Sequence, residues 1–92
     1  MKCTSLEEVR ENIDRIDDAI IRLIAERTEY VRQAAAFKKS EEAVKAPDRV
    51  EAVIVKVRDK AEKYGASPEI AETVYRNMIN RFINMEMTEY KN

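Results

Sequence analysis

From Leu6 to Phe37 an apolar or small side chain recurs every three or four residues, at Leu6, Val9, Ile13, Ile16, Ile20, Leu23, Tyr30, Ala34 and Phe37, interrupted only at Arg27 and with no Gly or Pro between them. That spacing keeps them on one face of a helix. Ser5 followed by Glu8 forms a capping-box pattern, which starts the helix near Leu6. At 1.5 Å per residue, a helix over roughly 6–38 is about 45 to 50 Å long. A compact monomer of 92 residues has a radius of gyration of only about 12 Å. So long a helix does not fit inside a ball of its own chain. A chain this short also buries little surface, so a second subunit along the stripe is expected.

The rest of the chain reads as two shorter helices. The stretch "KSEEAVKAP" loses the helical pattern, which makes Lys39 to Ala46 a loop, and Pro47 suits the first turn of a new helix because its missing N–H does no harm there. That second helix runs over 47–64 with Val50, Val53, Ile54 and Val57 inward. Gly65 stops it, Ser67 caps the next, and Pro68 opens a third helix over about 68–90. One Gly, two Pro and a charged content of 38% leave little material for the turns of a sheet protein. The expected fold is all-α, one domain over 1–92 with three helices.

Composition also excludes chemistry. With no His and a single Cys, Cys3, the chain lacks the ligands for a zinc site, a Ser-His triad, a Cys-His pair or an internal disulfide. Seventeen Lys and Arg against eighteen Asp and Glu leave a net charge of -1, so no overall field draws it to nucleic acid or an anionic membrane. No segment is apolar for long enough to span a bilayer, and the start of the chain lacks the apolar run of a secretion signal. A cytoplasmic protein with Cys3 reduced is expected.

Two polar residues interrupt the apolar stripes: Arg27 in the first helix and Glu86 in the third, after Ile79, Phe82 and Ile83. Each has an ordinary explanation. An arginine stem can lie along apolar surface with its head in water, and a core-edge glutamate can pair with an arginine. Arg10 can be an exposed residue, and Lys38 and Lys39 can simply favour the negative end of the first helix. Taken together they suggest more. Eleven residues separate Arg27 from Lys38, and in a continuous helix that spacing returns to nearly the same face roughly 16 Å along the axis, where two long side chains can converge on one small anion. Arg10 is roughly 25 Å from Arg27 on the same helix, too far to share that anion. An antiparallel second chain would bring its own Arg10 back to the site.

These residues resemble the all-helical chorismate mutases, and within them the isochorismate-pyruvate lyases that make salicylate. "VRENIDRIDDAIIRLIAER" is similar to the family's first helix, and "FKKSEEAVKAPDRV" to the loop of the lyase branch. The resemblance covers essentially the whole chain. It implies an intertwined homodimer in which the long first helices pair, no cofactor and no metal. Arg10 would reach into the partner's site, Arg27 would grip a substrate carboxylate, and Lys38 would bond a carboxylate and the ether oxygen of the breaking bond. Arg49 would lie near the substrate. Glu86 stands where most members have a glutamine that donates the second hydrogen bond to the ether oxygen. Small dianions such as chorismate and isochorismate need cations, and a pericyclic step needs no nucleophile, so a chain without His loses nothing.

Two positions depart from the usual mutase pattern. Glu86 can donate to an ether oxygen only when protonated, which requires burial against the pull of nearby cations; fungal members carry Glu there as well. Val50 stands where typical mutases place a glutamate that receives the ring hydroxyl of chorismate, and a valine accepts no hydrogen bond. The expected activity is therefore isochorismate to salicylate and pyruvate, with a chorismate mutase side activity. The alternatives are a chorismate mutase proper and, from another class, a non-catalytic helical dimerisation module, since stripes of this spacing more often serve packing. The loop over 39–46 would act as a lid over the bound dianion.

Overall fold

A computed structural model describes residues 2–91. Met1 and Asn92, the ends of the expected 1–92 domain, lie outside the described residues. Among those described there are four helices and no strand: α1 (Leu6–Ala35), α2 (Glu41–Lys45), α3 (Pro47–Tyr64) and α4 (Pro68–Lys91). The all-α reading holds, with three long helices and one short one.

The second and third long helices begin where the local signals place them. Gly65 closes α3 in the left-handed region at φ 78, its N–H directed to the carbonyls of Ala61 and Glu62. The Ala66 N–H then bonds back to the Ala61 carbonyl at 2.8 Å, a Schellman ending. Ser67 Oγ accepts the Ile70 N–H at 3.2 Å and starts α4.

The segment between α1 and α3 departs from expectation twice. α1 ends at Ala35, three residues short of 38, because the backbone tightens into i to i−3 bonds. The N–H groups of Ala36, Phe37 and Lys38 bond to the carbonyls of Gln33, Ala34 and Ala35 at 3.2, 3.0 and 3.2 Å. The expected loop over 39–46 then contains the single helical turn α2. Ser40, with extended backbone, accepts the Ala43 N–H on its Oγ at 3.0 Å. Ala46 closes the turn in the left-handed region at φ 37, its N–H on the Glu42 carbonyl at 2.8 Å. A left-handed alanine costs about 1 kcal/mol or more. The right-handed alternative is itself disfavoured for a residue that precedes proline, here Pro47.

The chain divides into two compact units, one running through Tyr30 and the other starting at Val31. The first holds α1 up to Tyr30 with the residues that lead into it, and the end of α1 from Val31 belongs to the second. The start of α1 is a capping box: Ser5 Oγ accepts the Glu8 N–H at 3.1 Å, and Glu8 Oε2 accepts the Thr4 N–H and hydroxyl at 3.2 and 2.9 Å. No residue of α1 is buried, and its stripe is open to solvent, with Ile13 50% and Leu23 63% exposed.

In the second unit α2 and α3 pack on α4. The buried apolar side chains are Val44, Ile54, Ala61 and Ile79. Of the α3 residues expected inward, Ile54 is buried and Val50, Val53 and Val57 are half-buried. A charge ladder fastens α3 to α4. Arg76 grips Glu51 with both terminal nitrogens at 2.8 and 2.9 Å and donates Nε to Glu72 at 2.7 Å, and Arg58 donates to Glu72 at 2.7 Å. No helix among the described residues is long and apolar enough to cross a membrane.

Candidate active site

Each candidate residue is set by its own element. Arg10 is exposed on α1, and Arg27, further along the same helix, is half-buried. The helix is unbroken between them, so they stand roughly 25 Å apart and cannot grip one small molecule from a single chain. Nη1 of Arg27 is buried, which argues against a guanidinium that simply snorkels to water.

Lys38 requires a correction. It lies beyond the end of α1 at Ala35, so the helical spacing from Arg27 does not set its direction. The turn that follows does: Lys38 Nζ donates to the Ala43 carbonyl of α2 at 3.1 Å. From there the ammonium faces Glu86 of α4, with Nζ 3.9 Å from Oε2. That is a contact between charges, longer than a hydrogen bond.

Glu86 is the one buried charged residue among those described, 7% exposed, on the same turn spacing as buried Ile79. Its carboxyl is thus largely removed from water with the Lys38 ammonium nearby. A cation and a carboxyl held side by side in a largely desolvated place form a pair of hydrogen-bond groups suited to a polar atom of a bound anion.

The remaining two candidates occupy the first turn of α3, Arg49 exposed and Val50 half-buried. Pro47 at the first position of that helix sets their place. Elsewhere in the second unit a cavity of about 210 Å³ opens between Val57, Ala61, Tyr64, Ala71 and Tyr75. It lies roughly 20 Å along α4 from Glu86, with mostly apolar walls and Lys60 at its edge, so it is separate from the Lys38–Glu86 contact.

What the residue pattern did not point to is the backbone of α2. The Ala43 carbonyl is a direct partner of Lys38, and Ser40 and Val44 hold the turn that carries it. The signal was present as a serine cap followed by Glu41 and Glu42, favourable charges for a first turn. One turn is too short for a periodicity to reveal.

The sequence has relatives. The isochorismate pyruvate lyase of Pseudomonas aeruginosa is 38% identical over 81 residues, which cover 88% of this chain and 80% of that protein. Residues 9–87 match the family described as chorismate mutase type II, a span that includes Arg10, Arg27, Lys38, Arg49, Val50 and Glu86. With the family match spanning most of an all-helical chain and a relative 38% identical over 88% of it, the chain belongs to the chorismate mutase type II family.

Proposed function

We propose that this protein is a pericyclic enzyme that converts isochorismate to salicylate and pyruvate, with a weaker conversion of chorismate to prephenate. The observation that carries the reading is the Lys38 ammonium held 3.9 Å from buried Glu86. The name of the Pseudomonas aeruginosa relative supports the lyase over the mutase. So does Val50, which offers no acceptor to a ring hydroxyl.

In the lyase step a ring hydrogen moves to the methylene carbon of the enolpyruvyl side chain as the ether C–O bond breaks. The side chain leaves as pyruvate and the ring becomes the aromatic ring of salicylate. Negative charge grows on the ether oxygen, and a donor aimed there lowers the barrier by about 3 to 4 kcal/mol. Lys38 takes that role and also bonds a carboxylate. Glu86, when protonated, donates the second hydrogen bond. Arg27, Arg49 and Arg10 of the partner subunit supply the cations that hold the dianion in its reactive conformer.

A homodimer is part of this proposal. α1 up to Tyr30 has an apolar stripe and no core of its own, and a helix gains its stability by burying such a stripe. A second α1 running antiparallel covers it and brings an Arg10 to each site. Chains carrying Arg10→Ala and Arg27→Ala are each inactive in this scheme, and their mixture recovers activity because one site per heterodimer keeps both arginines. No recovery on mixing would leave the shared site without support.

The test of the function is product analysis of the purified protein with isochorismate and with chorismate, near pH 6 and pH 8. Salicylate and pyruvate from isochorismate establish the lyase. Prephenate alone makes the protein a mutase, and no turnover at either pH returns it to a helical dimerisation module.

A further inference from the structure

Among the described residues Val44 is the most buried side chain, 2% exposed, although it sits on a helix of only five residues. A single turn has almost no stability of its own, so α2 persists through what it docks on, and it docks on α4. The same turn carries the carbonyl that holds Lys38. In a continuing helix the Ala43 carbonyl would accept the N–H of the residue four further on, but that residue is Pro47, which has none. The carbonyl is therefore left for a side chain, and Lys38 Nζ takes it at 3.1 Å. Ser40 Oγ meanwhile fixes the preceding peptide unit, on the other side of the Ala43 Cα, by accepting the Ala43 N–H at 3.0 Å.

We infer that Val44 and Ser40 are positioning residues: they dock α2 so that the Ala43 carbonyl aims the Lys38 ammonium at Glu86 and at the bound anion. An ammonium has three donors on a flexible stem. Spending one on a fixed carbonyl restricts the directions of the other two, one of which falls toward Glu86 Oε2 at 3.9 Å. The remaining donor is left for substrate. Without the docked turn Lys38 keeps its charge and loses its aim, and misplacement of a reacting group by about 1 Å can cost as much as 100-fold in rate. This inference rests on the catalytic role proposed for Lys38.

The test is a pair of double-mutant cycles on the full chain, read as kcat/KM for isochorismate. Val44→Ala is expected to lower it about 10-fold and Ser40→Ala about 3-fold, while Val44→Ile recovers most of the loss. In a Lys38→Met background both substitutions are expected to change activity less than about 2-fold, because they act through Lys38. That background stays measurable, since losing one such donor costs about 100- to 1000-fold against a total acceleration of about a million-fold or more. Ser40 is exposed, so its variant keeps the cycle informative if Val44→Ala does not fold.

Equal losses with and without Lys38 would mean a merely structural role and overturn the inference, leaving the function intact. A Lys38→Met protein as active as wild type, or a wild type without turnover, would overturn the function itself and this inference with it.

Discussion

The two ends of α4 each place a glutamate against a cation, and they do it in opposite ways. Near its start, Glu72 accepts bonds of 2.7 Å from both Arg58 and Arg76, at the surface, with 27% of its side chain exposed. Near its finish, Glu86 has only 10% of its side chain exposed, and the Lys38 ammonium stands 3.9 Å from its Oε2. Short bonds from two arginines fasten α3 to α4. The Lys38–Glu86 contact is longer and lies further from water. Charge pairs at the surface contribute little each and gain by forming a network, whereas a desolvated pair has a large effect on whatever is bound beside it.

The sharpest way to break this contrast is to remove one cation from each end. Lys38→Met is expected to lower turnover of isochorismate about 100- to 1000-fold, and Arg76→Met to leave it within about 2-fold. Comparable losses from the two variants would erase the distinction. The next effect belongs to Glu86. If its neutral form is the donor, wild-type kcat/KM falls as pH rises through the Glu86 titration, and Glu86→Gln, a donor at every pH, flattens the profile. A flat wild-type profile between acid and pH 8, or one that Glu86→Gln leaves unchanged, ends this account.

At the other end the pH dependence is one of stability and has the opposite sense. Hydrogen bonds from Arg76, joined at Glu72 by Arg58, hold the Glu51 and Glu72 carboxyls below their ordinary value of 4.5. Their folded state is therefore favoured at pH above about 4.5, and the advantage is lost as pH falls through the lowered values. Thermal unfolding of wild type and Arg76→Met should differ at pH 7 and converge in acid, by an amount limited by the exposure of the pairs. A constant difference down to pH 3 would show that Arg76 acts through packing alone. The smallest expected effect is on specificity: Val50→Glu should shift preference toward chorismate by a few-fold to about 100-fold in the ratio of kcat/KM values. An untouched ratio would remove Val50 from the explanation of lyase over mutase.

Much of this was legible residue by residue. Pro47, Gly65, Ser67 and Pro68 mark helix boundaries because their effects are local: a missing N–H, a left-handed backbone, a short side-chain acceptor. Arg27 and Glu86 were visible because a polar residue on an apolar stripe breaks a pattern that can be counted. The break at Ala35 was not, since no Gly or Pro marks it and "AAAFKK" suits a helix well. Nor was α2, whose five residues are fewer than two turns.

Sequence alone determined the helical class, the three long elements and the identity of the candidate cations, because periodicity, caps and composition act over a few residues at a time. Only the tertiary structure decided that Lys38 turns out of the first helix, bonds the Ala43 carbonyl and meets Glu86, forty-eight positions later in the chain. That meeting depends on Val44 being buried as α2 docks on α4. Burial is a property of packed elements, and no local pattern carries it.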